Sequence, residues 1–290
     1  MRIVSLLPSA TEIVYALGLG DDLVGVTDEC DYPPDAVTKP VVSRSALPQG
    51  RPLTSREIDE AVRQKMDVHE PLYILDKELL RREQPDVILT QDLCRVCAVP
   101  SGQVQRALDE LGTSEAKVVS LDPHTMDDVI GQIEVVGSML DRADRAKEIT
   151  GLLRSRVARV KEIAMRLPTL QVFALDWSDP PFVAGHWIPE MVEAVGGVNL
   201  LNAKGEPSKV VTWRQIRDEN PEVIVFMSAS EASVPRTSPK IAGSGQVPRR
   251  IRAPDPGGRA RGMFSRNPPP VMWAAACSSP SVASDMTSGA

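Results

Sequence analysis

Two kinds of hydrophobic spacing alternate along the first 227 residues of the chain. Short apolar runs, as at 87–89 and 223–225, are typical of strands that are buried on both faces of a parallel sheet. Between these runs, apolar residues recur every three or four positions, which indicates amphipathic helices. The alternation predicts an α/β protein built on parallel sheets.

One phrase of the sequence occurs twice. Glu-Gln-Pro-Asp-Val-Ile-Leu at 83–89 returns as Glu-Asn-Pro-Glu-Val-Ile-Val at 219–225. Proline disfavours a helical conformation for the residue before it, so each copy predicts the end of a helix followed by a buried strand. The repetition therefore predicts two similar α/β lobes.

Helical spacing over residues 125–167 predicts one long helix between the lobes, with a bend near 141–144 where charged residues interrupt the apolar period. Two lobes joined by a helix predict a cleft that holds a ligand. We divide the chain into an N-terminal α/β lobe at 1–124, a spanning helix at 125–167, a C-terminal α/β lobe at 168–227 and a tail at 228–290.

In the first lobe, apolar runs predict four parallel strands at 2–7, 23–27, 87–90 and 118–121, and residues 44–56 have the composition of a polar connector. Two helix starts carry the pattern of a capping box. One pairs Ser9 with Glu12 and the other pairs Thr212 with Gln215. A helix that begins after a strand places backbone N–H groups at the carboxyl edge of the sheet, where open α/β folds bind ligands.

The tail at 228–290 has a different composition, since 26 of its 63 residues are Gly, Pro or Ser. No helical or strand period extends beyond a few residues, so we expect an irregular or disordered segment. A frameshift that replaced a native helix-strand-helix ending would explain this change. A natural, divergent tail is the alternative.

Composition narrows the class of partner. A formal net charge of −6, with the basic residues concentrated in the tail, argues against a nucleic-acid groove. The N-terminal residues lack the order of a secretory signal, so the chain as written is expected in the cytoplasm, and in the periplasm or at the cell surface if the true start lies upstream. The motifs of serine hydrolases, P-loop enzymes, metalloproteases and dinucleotide-binding enzymes are not found, so we expect no catalysis.

Five phrases resemble the vitamin B12-binding class of ABC-transporter periplasmic substrate-binding proteins, within the helical-backbone metal receptor superfamily. They are Arg-Ile-Val-Ser-Leu-Leu-Pro-Ser-Ala-Thr-Glu at 2–12, Glu-Cys-Asp-Tyr-Pro-Pro at 29–34, Pro-Asp-Val-Ile-Leu-Thr-Gln-Asp-Leu-Cys at 85–94, Pro-Pro-Phe-Val-Ala-Gly at 180–185 and Gly-Gly-Val-Asn-Leu at 196–200. The resemblance implies two parallel-sheet lobes, a rigid spanning helix, a small hinge motion and delivery of cobalamin to a permease. Family members present one acidic residue on each lobe to the permease, whereas the equivalent regions here surround Gln103 and Arg214.

A corrin is a broad apolar disc edged by amides, so its receptor needs flat aromatic surfaces and a few hydrogen-bond donors. Tyr32, Trp177, Phe182 and Trp187 lie on predicted loops at the lobe edges, in a chain with only 4% aromatic residues. They either line the binding face or cap the two cores. His186, beside Trp187, is a candidate ligand for cobalt or iron, or a hydrogen-bond donor to the edge of the corrin.

Three cysteines are candidates for convergence at the same edge of the sheet, with Cys94 and Cys97 in a Cys-x-x-Cys motif and Cys30 after a neighbouring strand. Three thiolates suit a soft metal, and one thiolate could bind a cobalt or heme centre. A reduced thiol cluster or a reversible disulfide is the alternative. Asp31 and Asp92 flank the cysteines as oxygen ligands or as turn residues.

These observations predict a monomeric, non-catalytic binding protein. Its expected ligand is a cobalamin-like corrinoid, which is cargo and not a prosthetic group, and its expected partner is an ABC transporter permease. An iron-siderophore or heme binding protein of the same fold is the first alternative. A cytoplasmic, thiol-dependent metal or redox protein is the second.

Overall fold

The computed structural model describes residues 1–93, 98–112 and 115–227. The described chain forms two β-sheets with helices around them, which confirms the predicted α/β class. We call the first sheet with its helices the first lobe and the second sheet with its helices the second lobe. Two predicted cysteine ligands, Cys94 and Cys97, and the tail at 228–290 lie outside the described residues.

The first sheet has six strands in the order β4-β3-β2-β1-β5-β6. Their bounds are β1 Ile3–Ser5, β2 Leu23–Thr27, β3 Val41–Ser45, β4 Tyr73–Leu75, β5 Val87–Thr90 and β6 Lys117–Ser120. Five strands are parallel, and the edge strand β4 pairs with β3 in the antiparallel direction. The prediction of four parallel strands was wrong because β3 and β4 each contain too few consecutive apolar residues to stand out from a polar connector.

Helices cover both faces of the first sheet. The bounds are α1 Pro8–Ala16, α2 Ser55–Asp67, α3 Lys77–Glu83 and α4 Ser101–Leu111. Successive strand residues point to opposite faces, so Ile3 joins one hydrophobic core and Val4 joins the other. The predicted Ser9 capping box is wrong, because α1 begins two residues earlier than that box requires, at Pro8, and has no side-chain cap.

Residues 125–167 form two helices instead of the single bent helix that we predicted. They are α5 Met126–Met139 and α6 Ala143–Ala164. The chain reverses between them, where Asp141 has a left-handed φ of 56°. Arg154 of α6 pairs with Asp127 at 3.2 Å and with Glu134 at 2.7 Å, as antiparallel packing requires. The slip in the apolar period therefore marks a turn.

Helix α6 runs between the two lobes, and α5 beside it also contacts both, with Ile133 in the core of the first lobe and Val129 packed against the core of the second. The 22 residues of α6 correspond to a length of about 33 Å. Near its start, Ala146 is fully buried in the core of the first lobe, beside Gly137 of α5. Near its end, Ala164 lies against Gly196 of the second lobe, where a side chain would contact the helix backbone and where φ is 83°. The lobes are thus linked by the α5–α6 pair and by the contacts described below.

The second sheet is smaller and mixed. After β7 Gln171–Ser178, the chain continues through β8 Pro181–Val183, α7 Ile188–Ala194, β9 Val198–Asn199, β10 Lys209–Val210, α8 Trp213–Asp218 and β11 Val223–Phe226. Strands β7 and β11 are parallel, but β8 is antiparallel to both β7 and β10. The expected parallel sheet is corrected here because the two-residue connection between β7 and β8 can only form a hairpin. The capping box of Thr212 and Gln215 at α8 is confirmed.

The repeated phrase has the same structure in both copies. Gln84 and Asn220 end their helices with φ of 41° and 50°, and a buried or half-buried strand follows each proline. The acidic residue after the proline binds the neighbouring parallel strand. The Asp86 carboxylate accepts the Arg2 N–H at 2.6 Å, and the Glu222 carboxylate accepts the Gln171 N–H at 2.9 Å.

Candidate ligand-binding site between the lobes

Among the described residues, hydrogen bonds and ring contacts join the lobes at two places. We call the first the hairpin junction, formed by Ser55 and Arg56 at the start of α2 and by Trp177, Ser178 and Asp179 at the β7–β8 turn. The Trp177 indole N–H donates to the Ser55 carbonyl at 3.2 Å, and the Ser55 and Ser178 hydroxyls lie 2.9 Å apart. Arg56 and Asp179 form an ion pair at 2.9 Å between solvent-exposed side chains. These contacts are polar and few. Because an ion pair between exposed side chains stabilises a structure by less than about 1 kcal/mol, the junction holds the lobes together only weakly.

The second contact is the histidine junction, formed by His124 and Met126 of the first lobe and by His186 and Glu190 of the second. The imidazole rings of His124 and His186 have centroids 5.9 Å apart with an edge-to-face angle of 61°. The Met126 N–H donates to the Glu190 carboxylate at 2.7 Å. The loop before α5 and the loop before α7 therefore meet here.

The backbone around His186 is tightly held. His186 has a left-handed φ of 53°, its N–H donates to the Glu206 carbonyl at 2.6 Å, and its carbonyl accepts from Gly205 at 2.8 Å. The neighbouring Gly185 has backbone of the 206–208 segment where a side chain would be, so this position requires glycine. The backbone contacts of Gly185 and His186 thus fix the position of the imidazole side chain.

The His186 imidazole is 9% exposed, and among the described residues its Nδ1 has no hydrogen-bond partner. Burial lowers its pKa, and the neighbouring His124 lowers it further. Both causes favour the neutral ring, which has one nitrogen lone pair available to a metal ion or to a donor group on a ligand.

The four predicted aromatic residues differ in their surroundings. The prediction that Trp177 and Phe182 lie on loops was wrong, because β7 extends to Ser178 and the chain returns at once through β8. The two side chains face each other across these strands, and Phe182 is fully buried. Trp187 packs in the core of the second lobe with Ala184, Ile188 and Val192. Tyr32 is 42% exposed at the exit of β2. Three of the four are therefore buried in this arrangement, and their contact with a ligand stays a prediction.

The exit of β2 brings together Cys30, Asp31 and Tyr32 beside the first turn of α1. The buried Cys30 thiol lies 3.1 Å from the Thr11 hydroxyl. Burial raises its pKa to about 11, although the hydrogen bond between the thiol and Thr11 acts in the opposite direction. Burial, together with the charge of Asp31, raises the pKa of Glu12 from 4.5 to about 7. At neutral pH this edge therefore carries a protonated thiol and a partly protonated carboxyl group.

Within residues 1–93, 98–112 and 115–227, no group of three His, Cys, Asp or Glu side chains is close enough to hold a metal ion. The predicted three-cysteine site includes Cys94 and Cys97, which lie outside those ranges, so it stays a prediction. A thiol with a pKa as high as that of Cys30 is a poor source of thiolate at neutral pH.

Asp92 has a structural partner. Its carboxylate accepts the N–H of Ser101, the first residue of α4, at 2.8 Å. Partial burial by itself would raise the pKa of Asp92, but the hydrogen bonds from Ser101 outweigh it and lower the pKa. The following residue, Leu93, packs against the core of the second lobe. This geometry matches the turn-forming alternative for Asp92, and ligand contact stays a prediction.

Sequence reasoning missed several residues of the junctions. The sequence predicts no role for His124, Ser55 or Glu190. The signal for His124 was its position just after a predicted strand, at the carboxyl edge of the first sheet. For Ser55 and Glu190 the sequence offered no signal, because their contacts join residues far apart in the chain.

Other surface features lie away from the junctions. A hollow of about 590 Å³ is lined by Pro40, Asp76, Glu78, Leu79, Arg81 and Arg82 around α3. In the regions equivalent to the acidic docking residues of the family, Gln103 donates to the Tyr73 carbonyl and Arg214 pairs with Asp218 at 3.5 Å. No helix among the described residues is long and apolar enough to span a membrane.

Comparison with known proteins gives a consistent answer. The family profile described as "Periplasmic binding protein" matches residues 3–241. The vitamin B12-binding protein of Vibrio cholerae serotype O1 is 27% identical over 227 residues, which cover 77% of this chain and 69% of the relative. The vitamin B12-binding protein of Yersinia pestis is 26% identical over 239 residues, covering 82% and 72%.

Solved structures share the fold. A possible iron-binding periplasmic solute-binding protein from Staphylococcus epidermidis has a TM-score of 0.58 at 25% identity, covering 78% of this chain and 76% of that one. The periplasmic vitamin B12 binding protein BtuF of Vibrio cholerae has a TM-score of 0.55 at 24% identity, covering 78% and 75%. The periplasmic heme binding protein HutB of the same organism reaches 0.57 at 17% identity, covering 78% and 76%.

Proposed function

Because the chain belongs to the periplasmic binding protein family, we propose that it is a non-catalytic receptor that binds a cobalamin-like corrinoid between its two lobes. The resemblance inferred from the sequence phrases is confirmed by the family match and by the vitamin B12-binding relatives. The observation that carries the choice of corrinoid is the 27% identity to a vitamin B12-binding protein over most of this chain.

The geometry of the junctions supports entry of a ligand between the lobes. The α5–α6 pair links the lobes at one side, and the hairpin junction consists of a few polar contacts. A small hinge motion would break those contacts at little cost. It would expose the Trp177 indole, whose N–H could then donate to an amide of the corrin rim. Tyr32 offers a second aromatic surface that is already exposed.

An iron chelate or heme is the second candidate ligand. The specific observation that favours it is His186, a buried imidazole whose Nδ1 has no partner among the described residues. Imidazole nitrogen is a common ligand of iron in heme proteins. The similarity to a possible iron-binding protein of Staphylococcus epidermidis is consistent with this candidate.

A thiol-dependent metal or redox function receives less support. The Cys30 thiol is buried, bonded to Thr11 and protonated at neutral pH, whereas reactive cysteines have lowered pKa values. The cytoplasmic location expected from the N-terminal residues has no support in a family whose description is periplasmic. We propose instead that the protein delivers a corrinoid to an ABC transporter for uptake or salvage. Docking to a permease would use residues other than Gln103 and Arg214.

Titration of the purified protein with cyanocobalamin, hemin and a ferric siderophore tests the proposal. We expect cyanocobalamin to quench tryptophan fluorescence in a saturable manner and to release heat in calorimetry. Saturable binding of hemin or the siderophore without binding of cyanocobalamin would transfer the assignment to the second candidate. Absence of binding to all three would contradict both.

A further inference from the structure

Two of the three histidines of the chain lie against each other although they are far apart in the sequence. His124 belongs to the loop between β6 and α5, and His186 to the loop between β8 and α7. Each lobe therefore contributes one imidazole to the same place. The third histidine, His69, lies at the end of α2 and takes no part in this contact.

The spacing of the two rings fits shared coordination of one ion. An imidazole nitrogen binds Zn²⁺ at about 2.0–2.1 Å, so two imidazoles on one ion have ring centroids about 5–6 Å apart. The observed separation is 5.9 Å. Because the rings lie edge to face, a flat macrocycle does not fit between them, whereas a single ion is far smaller.

The burial of His186 makes the place favourable for a ligand. A buried imidazole nitrogen without a partner costs free energy, which a bound ion would recover. The strained φ of 53° and the two backbone hydrogen bonds hold this ring in position before any ion arrives.

Two carboxylates accept backbone N–H groups of the segment that carries His124. The Asp128 carboxylate accepts the His124 N–H at 3.1 Å, and the Glu190 carboxylate accepts the Met126 N–H at 2.7 Å. Both groups already have backbone partners, so they lower the electrostatic cost of a nearby positive charge without being its ligands.

We propose that His124 and His186 bind a divalent transition-metal ion such as Zn²⁺, Co²⁺ or Ni²⁺ between the two lobes. Water completes the coordination, because the described residues contain no group of three metal-ligating side chains. With one ligand on each lobe, the ion stabilises the closed arrangement. The site requires no corrinoid, so it goes beyond the proposed function.

The test is a titration of the full chain with Co²⁺, followed by visible absorption, and with Zn²⁺, followed by calorimetry. His124→Asn and His186→Asn remove one ligand each, and asparagine tolerates the left-handed backbone at position 186. His69→Asn is the matched control, since His69 also has a left-handed φ, of 57°, but lies elsewhere. We expect affinity to fall by about tenfold or more in the first two variants and to change by less than about twofold in the control.

Three results would overturn the proposal. They are failure of the wild-type protein to bind Co²⁺ or Zn²⁺, unchanged affinity in both junction variants, or loss of binding only when Cys94 and Cys97 are replaced by serine. If circular dichroism shows that His186→Asn is unfolded, the exposed His124 still provides the test. Cyanocobalamin titration of the same samples separates the two ideas, since corrinoid binding without ion binding contradicts this inference alone.

Discussion

The two copies of the repeated phrase form the same local structure in different surroundings. In the first lobe, β5 lies between β1 and β6, and all four of its residues are buried. In the second lobe, β11 pairs with β7 alone among the described residues, and Val225 and Phe226 are 40% and 36% exposed. The comparison shows that the phrase specifies a helix end, a turn and a strand, while the neighbouring elements set how much that strand contributes to stability.

The largest expected difference between the copies concerns their central isoleucines. Ile88→Ala removes a fully buried side chain and should lower the free energy of unfolding by about 4 kcal/mol. Ile224→Ala removes a half-buried side chain, so its cost should be about 1–2 kcal/mol. Urea denaturation of both variants measures the difference. Equal losses would show that β11 is as well covered as β5.

The first lobe also contains a carboxyl group, that of Glu12, whose ionised form destabilises the folded state. The pKa of Glu12 is about 7 in the folded protein, above its ordinary 4.5, because of burial and then the charge of Asp31. The folded state therefore favours the protonated carboxyl group, and the stability gained from it is complete below pH 4.5 and lost as the pH rises through 7.

Glu12→Gln should therefore match the wild type at pH 4 and exceed its stability by about 2 kcal/mol at pH 8, after allowance for partial exposure. Denaturation curves at several pH values measure this. Asp31→Asn should give a smaller change in the same direction, since Asp31 is the lesser cause. A difference between Glu12→Gln and wild type that does not vary with pH would contradict the assignment.

In both copies, the carboxylate of the acidic residue after the proline accepts a backbone N–H of the adjacent strand. Substitution of these two acids tests whether this hydrogen bond contributes equally to the stability of both lobes. Asp86→Ala and Glu222→Ala each remove the acceptor for a backbone N–H of the adjacent strand. We expect each to cost about 1 kcal/mol, since a charge-assisted bond is lost at a partly solvated strand end. Asp86→Asn and Glu222→Gln keep an acceptor oxygen and serve as controls. Unfolding measurements in which only one alanine variant is destabilised would break the equivalence.

The smallest expected effect concerns the hairpin junction. Arg56→Ala removes an ion pair between exposed side chains, so the midpoint of thermal unfolding should stay the same within error. The rate of cyanocobalamin association should rise, because one contact that holds the lobes together is gone. Stopped-flow fluorescence measures that rate, with Arg44→Ala in the first sheet as a control. An unchanged rate would show that this contact does not limit opening.

Several parts of the site could be anticipated from the sequence. The loops at the strand ends and the placement of Tyr32 on one of them follow from patterns within a few residues of each other, whereas Trp177, expected on a loop, lies in β7. The partner of His186 could not be anticipated, because His124 is separated from it by two helices and two strands. The burial of Phe182 and Trp187 was likewise undetermined, since an aromatic residue after a strand suits either a core or a binding face.

The sequence by itself determined the α/β class, the family, and the helix-turn-strand structure of the repeated phrase, because these depend on local periodicity and on the backbone limits of proline. Tertiary structure decided that residues 125–167 fold back on themselves, that β8 makes the second sheet mixed, and that two distant histidines meet. The physical reason is that packing and pairing join residues far apart in the chain, where no short-range pattern records which surfaces will touch.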